Sequence, residues 1–305
     1  MYLGPLLSVI IPAHNASHTL ERALKSVFIQ DYAPFEVIIV DDGSTDGTID
    51  VAKSFPGGDN IFTYRLESCG GAANARNHGI SVCHGELIAF LDADDEWVAG
   101  KLAKQAALIL ADPAMTFVSC GSTLIAPDGT DCGSVYPGRS PSWGHDVWRV
   151  LLTYNFIATP SVVVRHSALD AVGWFDTSLK VGEDQDMWIR LSLTGDVGYV
   201  DDLLVRVHET PNSLSSGNFQ DQLVYTMPMI SRHMDAQKDK LTPHDVRSIL
   251  GNRLGRLGRA ALGRGLRQIG VSLILQAIRY GDRPIGNVLL LLRSSVRSLL
   301  IKRTE

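Results

Sequence analysis

Residues 86–97, which read ELIAFLDADDEW, constrain the fold more than any other part of the chain. They begin with an uninterrupted apolar run at 87–91 and continue with three carboxylates, Asp92, Asp94 and Asp95. An apolar run of this length predicts a strand that is buried on both faces of a parallel sheet. Because alternate side chains of an extended chain share a face, we expect Asp92 and Asp94 to project together at the end of this strand.

Two carboxylates that lie so close together resist joint ionisation unless a cation sits between them. Hard divalent cations prefer oxygen ligands, and magnesium commonly binds one or two carboxylates together with substrate phosphates. The segment therefore predicts a metal–diphosphate site at the end of a strand. A solvated acidic turn is the alternative, and for an Asp-x-Asp pattern alone it is the more frequent one. Other features of the chain are needed to distinguish the metal–diphosphate site from the acidic turn.

Composition predicts an ordinary globular protein. The chain has 305 residues, 45% of them hydrophobic and 20% charged, which is enough for one large α/β domain with an appendage. Its four cysteines lack metal-type spacing, so a reduced, cytoplasmic setting is expected. The first residues lack the features of a signal peptide and predict a first strand. No apolar run approaches the ~18 residues of a membrane-spanning helix.

The net charge of −5 is distributed unevenly. Residues 247–305 contain eleven Arg and one Lys against two acids, an excess of ten positive charges, so the remainder carries −15. Within this tail, residues 285–301 place apolar side chains near helical spacing with Arg293 and Arg297 between them. A basic amphipathic helix favours contact with an anionic membrane surface. Packing on the catalytic domain or on a partner subunit is the alternative.

Strand and helix patterns alternate through the first hundred residues, which predicts right-handed crossovers and a mostly parallel sheet. A Pro-Asp-Gly turn at 127–129 lies between apolar runs and predicts an antiparallel hairpin. From residue 219 onward the pattern is helical. We therefore expect a catalytic domain over residues 1–218 and a helical C-terminal extension over 219–305.

Polar residues follow three of the predicted strands, at 12–15, 41–42 and 92–95. In open α/β sheets, ligands bind in the crevice beyond the carboxyl ends of the strands. Acids from separate strands are therefore expected at one edge of the sheet. This convergence is stronger evidence for a site than any single motif.

Six segments carry a family resemblance, in order SVIIPAHN, VIIVDDGSTDGT, GGAANARNHGI, LIAFLDADDEW, GEDQDMWIRL and RVHETPNSLS. Together they resemble the family-two glycosyltransferases of the GT-A fold, over about residues 6–215. The resemblance implies a Rossmann-like α/β fold, with a mostly parallel mixed sheet flanked by helices. It also implies an inverting enzyme that uses a nucleotide-sugar donor, most commonly a UDP-sugar.

For the donor, the resemblance implies that Asp41 accepts a hydrogen bond from the uracil ring, with Pro12, Ala13 and Asn15 lining the same slot. A carboxylate that meets an N–H donor forms a charge-assisted bond. Gly70-Gly71 would bring backbone N–H groups near the nucleotide. Arg76 would contact the diphosphate or the base, for which a bidentate guanidinium is suited.

The resemblance also implies a divalent metal, manganese or magnesium. Asp92 would touch the ribose and the metal, Asp94 would be the principal ligand, and His208 would add a metal or diphosphate contact. A metal at this point stabilises the negative charge that develops on the departing UDP.

On the acceptor side the resemblance points to Glu183 and Asp184. Trp188 is a candidate for the same pocket, with packing in the core as the more common use of a Trp side chain. Acids in the first turn of a helix complement its dipole, and this would suffice to explain Glu183. Asp184 precedes Met187 and Trp188 by three and four residues, so it leans toward the buried face. Partial burial of a carboxylate favours proton uptake, and we expect Asp184 to be the general base.

The sequence thus predicts a metal-dependent inverting glycosyltransferase. The acceptor would be a hydroxyl of a glycan or of a lipid-linked sugar, and the location cytoplasmic, with peripheral contact at the inner face of a membrane. No nucleic-acid partner is expected. Two alternatives stay open: a non-catalytic nucleotide-binding scaffold at a membrane, and a haloacid-dehalogenase-like phosphatase with Asp92 as nucleophile.

Overall fold

The computed structural model describes residues 1–210 and 219–281. Its contacts divide the chain into two compact units, one formed by Met1–Leu151 with Phe156–Ser216 and the other by Leu152–Asn155 with Gly217–Glu305. The boundary expected after residue 218 falls next to residues 211–218, which lie outside the described residues, and it stays a prediction. Each unit is described by itself.

Half of the sheet in the first unit is parallel, as the alternating pattern predicts. Four strands lie in the order β3-β2-β1-β4, and every neighbouring pair among them runs parallel. The residues of β4 are fully buried, which explains its continuous apolar sequence. The elements of this half are β1 (Tyr2–Ala13), α1 (Leu20–Phe28), β2 (Tyr32–Asp41), α2 (Thr48–Ser54), β3 (Ile61–Arg65), α3 (Ala72–Val82) and β4 (Leu87–Phe90).

The other half is mixed and continues the order as β4-β8-β6-β9-β5. β8 runs antiparallel to β4 and to β6, β9 runs parallel to β6, and β5 runs antiparallel to β9. Its strands are β5 (Glu96–Trp97), β6 (Met115–Ile125), β7 (Asp131–Ser134), β8 (Val163–Arg165) and β9 (Asp196–His208). Its helices are α4 (Lys101–Ala111), α5 (Val147–Thr153), α6 (His166–Val172) and α7 (Glu183–Ser192).

The β6–β7 pair is the antiparallel hairpin that the Pro-Asp-Gly turn predicts. The sequence pattern also predicts two separate strands at 197–200 and 203–207, and the structure instead has one strand, β9. The register between β6 and β9 shifts around Gly121, and this shift accommodates the polar residues between 200 and 203. The interruption in the apolar pattern of β9 is therefore a bulge rather than a turn. The predicted α/β fold with a mixed sheet flanked by helices is confirmed.

The second unit is helical in its described part, and a small apolar core holds it together. Phe219, Leu254, Leu257, Ala261, Leu273 and Ala277 form this core. Thr242 and Asp245 form a reciprocal capping box at the start of the longest helix, α10. The helices are α8 (Phe219–Asp221), α9 (Met227–Ala236), α10 (Pro243–Gly263) and α11 (Arg267–Arg279).

Two arginines of α10 donate hydrogen bonds to Leu152–Asn155, the earlier segment of the chain that belongs to the second unit. Arg253 donates from Nε to the carbonyl of Leu152, and Arg256 donates to the carbonyl of Thr153. Part of the basic character of the tail therefore serves internal hydrogen bonding. Within residues 1–210 and 219–281, no helix combines the length and apolarity needed to cross a bilayer. The amphipathic helix expected at 285–301 lies outside the described residues.

Candidate active site

The ends of β1 and β2 bring the first group of predicted donor-binding residues together. Ala13 pairs with Asp41 and Pro12 with Val40 in the parallel register. The backbone N–H of Asp42 then donates to the Ala13 carbonyl at 2.8 Å. Asn15 follows in a left-handed conformation with a φ of 49°.

The backbone N–H of Asn15 donates to Ser44 Oγ at 2.9 Å, and its Oδ1 accepts from the Thr45 N–H at 2.9 Å. The loops after β1 and β2 are thus bonded to each other. Pro12, Ala13, Asn15 and Asp41 consequently lie at the same edge of the sheet.

Asp41 is completely buried at the end of β2. Its Oδ1 accepts the N–H of Ser44 at 3.0 Å, and its Oδ2 lies 3.5 Å from Nε of Arg65. Within the described chain, Oδ2 has no hydrogen-bond partner. A buried carboxylate oxygen without a hydrogen bond is costly, and the Arg65 guanidinium is the described group that offsets its charge.

Asp42, the next residue, holds the Gly-rich loop in place. Its two carboxylate oxygens accept the backbone N–H groups of Gly70 and Gly71, each at 2.8 Å. The thiol of Cys69 donates to the same carboxylate at 3.3 Å. The expectation that Gly70-Gly71 presents its N–H groups to the nucleotide is therefore not met in this arrangement. Gly71, at a φ of 86°, makes the turn that begins α3.

Arg76, one turn into α3, joins two acids from distant parts of the chain. Its Nη2 lies 2.7 Å from Asp92 Oδ1 and its Nη1 lies 3.2 Å from Glu183 Oε1. The guanidinium is 5.5 Å from the ring centroid of Phe175, and its side chain is only 5% exposed. Burial by itself would lower the pKa of Arg76, but Asp92, Glu183 and the charge of Asp184 outweigh it and raise that pKa.

This geometry changes what Arg76 can do. Both of its terminal nitrogens are occupied by carboxylates, whereas the sequence motif led us to expect a contact with the diphosphate or the base. In the structure Arg76 positions the acids at the end of β4 relative to the first turn of α7. Only tertiary packing could show this, because Arg76 and Glu183 are 107 residues apart.

The acids that follow β4 crowd together. Burial, and then the neighbouring Asp92, raise the pKa of Asp94. Burial, and then Asp92 and Asp94, raise the pKa of Asp95 well above its usual range. Asp95 Oδ1 accepts the backbone N–H of His208 at 3.0 Å, and Asp94 Oδ2 accepts from the Thr210 hydroxyl at 3.3 Å. Arg22 donates to the backbone carbonyl of Asp94.

These carboxylates fit a hard divalent cation, because they are oxygen donors whose mutual repulsion a cation would relieve. They do not form a complete metal cage. In residues 1–210 and 219–281, no three or more His, Cys, Asp or Glu side chains come together as a metal-binding group.

His208 is not brought into a ligand group with Asp92 and Asp94. It is the last residue of β9, and its Nε2 lies 3.2 Å from Glu96 Oε1 on the paired strand β5. The terminal-His motif led us to expect a metal or diphosphate contact. In the structure the His208 ring instead pairs with Glu96, and the backbone N–H of His208 donates to Asp95.

The first turn of α7 carries the predicted acceptor-side acids. Glu183 is mostly buried by its ion pair with Arg76, and Asp184 is partly buried, with its Oδ1 accepting the Gln185 N–H at 2.7 Å. The approach to the helix is fixed by Asn77, whose side chain donates to the Phe175 carbonyl at 2.8 Å and accepts the Phe175 N–H at 2.9 Å. The motif in α3 thus supplies both Arg76 and Asn77 to position this acidic turn.

Two predictions on α7 are corrected by burial. Trp188, expected on the acceptor side, is 0% exposed and packs against the rings of Phe90, Phe117 and Phe175, so it belongs to the core. The i,i+4 spacing of Asp186 and Arg190 predicts an ion pair on the helix surface, and the two side chains do pair, at 2.8 Å. Asp186 is buried, and Arg190 also donates to backbone carbonyls of residues 172–174.

Tyr136 is a residue that the sequence did not single out, and its phenol is electrostatically coupled to two of the candidate acids. It lies just after β7, and its hydroxyl donates to the Ile157 carbonyl at 3.2 Å. Burial, and then the charge of Asp184, raise the pKa of Tyr136, and Asp92 adds to the effect while Arg139 opposes it. The Arg139 guanidinium lies 4.9 Å from the centroid of the same ring. No motif marks this residue, because its position depends on how the hairpin folds back toward α7.

Comparison with known proteins agrees with this arrangement. Residues 8–131 match the family model for glycosyl transferase family 2. TuaG of Bacillus subtilis strain 168, a glycosyltransferase assigned to teichuronic acid biosynthesis, is 31% identical over 218 residues, which cover 71% of this chain and 84% of TuaG. The chain belongs to the family 2 glycosyltransferases.

A second relative of this family 2 glycosyltransferase is the UDP-Glc:alpha-D-GlcNAc-diphosphoundecaprenol beta-1,3-glucosyltransferase WfaP of Escherichia coli. It is 31% identical over 192 residues, 62% of this chain and 71% of WfaP. Among solved structures, the mannosyltransferase PcManGT of Pyrobaculum calidifontis, in complex with GDP-Man and Mn²⁺, superposes with a TM-score of 0.62. Its identity is 20%, and the match covers 97% of this chain and 81% of that one.

The structural match identifies the α/β fold as the GT-A type that the motifs imply. Family membership makes the chain a sugar-transferring enzyme and excludes the haloacid-dehalogenase-like alternative. In agreement, the Asp-x-Asp segment follows the fourth strand of this family 2 glycosyltransferase, whereas the phosphatase motif would follow the first.

Proposed function

We propose that the chain is a metal-dependent, inverting glycosyltransferase that moves a sugar from a UDP-linked donor to a hydroxyl of a glycan or lipid-linked acceptor. One observation carries the proposal. The buried guanidinium of Arg76 bonds Asp92, on the proposed donor side, and Glu183, on the proposed acceptor side. The donor and acceptor acids are thereby held in one site, as a single displacement between two substrates requires.

The donor nucleotide would bind at the ends of β1 and β2. Asp41 Oδ2, which is buried and has no hydrogen-bond partner in the described chain, would accept the N–H of the uracil ring. Such a bond to a buried carboxylate discriminates strongly against a base without that donor, because the oxygen would then be left unsatisfied. Pro12, Ala13 and Asn15 would line the same slot.

Asp94, with Asp92 beside it, would hold the divalent metal, Mn²⁺ or Mg²⁺. When bound, the metal offsets the negative charge that develops on the diphosphate of the departing UDP. Arg76, which pairs with Asp92, would keep it oriented for this contact. His208 would act indirectly, because its backbone N–H fixes the Asp95 carboxylate next to the ligands.

Transfer would take place in one step with inversion. The Asp184 carboxylate takes the proton of the acceptor hydroxyl while that oxygen forms a bond to the anomeric carbon. The bond from this carbon to the phosphate oxygen breaks on the opposite face, and UDP leaves with the electron pair. Asp184 is partly buried and lies next to Glu183, whose ion pair with Arg76 holds the turn in place.

The replacement Asp184→Asn tests the role of the base. General base catalysis contributes about 10²–10⁴-fold, so we expect kcat for sugar transfer to fall by that factor while the Kd for UDP stays near that of the wild type. Asp202→Asn is the matched control, because this half-exposed acid pairs only with Lys104 among the interactions described. A D184N enzyme that transfers sugar within about ten-fold of the wild type would refute the assignment.

The identity of the relatives supports a lipid-linked acceptor. WfaP is named for transfer onto a GlcNAc diphosphate carried by undecaprenol. A chain that works on such an acceptor would meet it at the cytoplasmic face of a membrane, where the basic C-terminal residues would contact anionic lipid. Membership of an enzyme family sets aside the non-catalytic scaffold, which would bind UDP with neither hydrolysis nor transfer of any UDP-sugar.

A further inference from the structure

The end of β9 supplies two neutral hydrogen-bond donors to the acid segment that follows β4. The backbone N–H of His208 donates to Asp95 Oδ1 at 3.0 Å, and the hydroxyl of Thr210 donates to Asp94 Oδ2 at 3.3 Å. Thr210 and Asp94 are both half-buried, and they are 116 residues apart in the chain. The second bond therefore joins a side chain just beyond β9 to the acid that is expected to be the principal metal ligand.

The sheet holds Thr210 in place. Glu209, the preceding residue, donates its backbone N–H to the carbonyl of Ile125, the last residue of β6, at 2.8 Å. His208 pairs with the same Ile125 in the parallel register of β6 and β9. The backbone that carries the Thr210 hydroxyl is thus bonded on one side to β6 and on the other to the acid segment. A donor fixed in this way can orient the carboxylate that it contacts.

The two arginines near this segment contact other groups. Arg76 pairs with Asp92 at 2.7 Å, and Arg22 of α1 donates to the backbone carbonyl of Asp94. The Asp94 carboxylate is instead bonded by a hydroxyl. A guanidinium brings a positive charge that competes with a bound cation, whereas a hydroxyl orients a carboxylate and adds no charge. A neutral donor is therefore the partner that suits a carboxylate which has to bind a metal.

We propose that Thr210 is a positioning residue for the divalent cation, because its hydroxyl holds the Asp94 carboxylate in the orientation that binds the metal. Groups that hydrogen-bond to metal ligands orient them, and removal of such a group typically weakens metal binding by about 10–100-fold. The terminal-His motif directed attention to His208, and the contacts assign this role to the side chain two residues later. This inference rests on the proposed function, because it takes Asp94 as the residue that holds the metal.

Thr210→Val tests the inference, because valine keeps the branched shape of threonine and lacks the hydroxyl. The Kd of the full-length protein for UDP is measured by calorimetry over a series of Mn²⁺ concentrations. Because coupling between two ligands is reciprocal, the Mn²⁺ concentration that gives half of the tightening of UDP binding reports the metal affinity. We expect this midpoint to rise about ten-fold or more in T210V. The Kd for UDP without metal should stay within about two-fold of the wild type.

Thr194→Val is the matched control. The Thr194 hydroxyl donates to the Leu191 carbonyl at 2.9 Å, just beyond the end of α7. The ten residues of that helix place Thr194 roughly 15 Å from the acids at its start. T194V loses a comparable hydrogen bond and should keep the wild-type midpoint.

Two further variants at the same position complete the test. Thr210→Ser keeps the hydroxyl, so its midpoint should lie close to that of the wild type. Thr210→Ala also lacks the hydroxyl, and it serves if T210V does not fold. A shift in T210V or T210A that serine reverses would assign the effect to the hydroxyl rather than to the packing of the side chain.

Two results would overturn the inference: a T210V protein with the wild-type midpoint, or one that loses UDP affinity equally with and without Mn²⁺. The second result would give Thr210 a structural role only. Either could occur in an enzyme that depends on a metal, and the proposed function would then stand without this residue. A wild type whose affinity for UDP does not change with Mn²⁺ would instead contradict the metal dependence of the proposed function, and the inference would fall with it.

Discussion

Arg76 is the residue on which the electrostatics of the site depend. Its side chain is 5% exposed, and it is bonded to Asp92 and Glu183. A buried ion pair contributes little net stability compared with an apolar replacement of both partners, but removal of one partner leaves an uncompensated charge. The family motif that contains Arg76 implies a ligand contact, and its described ion pairs are with the carboxylates of Asp92 and Glu183.

We therefore expect Arg76→Met to lower the free energy of unfolding by about 3 kcal/mol, because two carboxylates lose their counter-charge in a partly dry site. Urea denaturation measures this. Arg206→Met is the control, because its ion pair with Glu96 is half exposed and should contribute less than about 1 kcal/mol. Equal losses in the two variants would show that the Arg76 bridge is no stronger than a surface pair.

A second buried cation lies outside the site. Lys101, at the start of α4, is fully buried, with its Nζ 4.2 Å from the Trp97 ring centroid and no hydrogen-bond partner in the described chain. Burial lowers the pKa of Lys101 from 10.5 to about 8. Between these values the unfolded chain binds the proton and the folded chain does not. The free energy of unfolding must therefore rise with pH across this window, and the full penalty applies below pH 8.

Lys101→Met should remove this dependence and stabilise the protein by about 3 kcal/mol at neutral pH, with little gain near pH 10.5. Urea denaturation at both ends of the window measures the difference. Lys104→Met, one turn along the same helix, is half exposed and should leave the pH dependence of the wild type unchanged. A K101M protein with the same pH dependence as the wild type would contradict the shifted pKa.

At the scale of elements, the site is built at junctions between strand ends and helix starts. Asp42, at the end of β2, fixes the two glycines that precede α3, and Asn77 of α3 fixes the approach to α7. Each junction uses a short polar side chain to hold backbone N–H groups of a distant segment. Hydrogen bonds of this kind hold functional side chains in fixed positions relative to the rigid sheet.

Asp42→Asn tests one junction. The amide has one acceptor oxygen, so one of the Gly70 and Gly71 N–H groups would face a donor instead. We expect the free energy of unfolding to fall by about 2 kcal/mol and UDP to bind more weakly, because α3 would no longer be held against β2. Asp128→Asn is the control, since its carboxylate accepts the Thr130 N–H at an exposed hairpin. An unchanged Kd for UDP in D42N would show that this junction does not support the donor site.

At the scale of the whole molecule, charge is segregated. The chain carries −5 overall, yet residues 247–305 carry an excess of ten positive charges. In the described part, Arg253 and Arg256 are used within the second unit. The proposed membrane contact would therefore depend on other cations of the tail, including Arg293 and Arg297, which lie outside the described residues.

The double replacement Arg293→Glu and Arg297→Glu should reduce sedimentation of the full-length protein with phosphatidylserine vesicles by about ten-fold or more, since each basic residue near the surface contributes about 1 kcal/mol. The effect should shrink at high salt. A matched reversal at Lys25 and Lys53, both exposed on helices of the first unit, should have little effect. Equal sedimentation of all three proteins would end the membrane proposal.

Residue patterns predicted those features that depend on neighbours along the chain. The apolar run before Asp92 predicted a strand buried on both faces, the Pro-Asp-Gly turn predicted the β6–β7 hairpin, and the strand ends predicted one edge for Asp41 and the acid segment. Trp188 was a candidate for the acceptor pocket but lies in the core, and helical spacing placed Asp186 and Arg190 on the surface, although Asp186 is buried. The apolar periodicity of a helix indicates which of its faces is buried, but it does not identify the residues that pack against that face.

The sequence by itself determined the alternation of strands and helices, the acidic edge of the sheet and the family. The physical reason is that propensity, turn chemistry and alternating burial act over a few residues, and the motifs consist of such short segments. Only the tertiary structure decided that Arg76 bonds carboxylates and that Asp42 rather than a ligand occupies the glycine N–H groups. Those contacts join residues far apart in sequence, and they exist only once the sheet has brought the segments together.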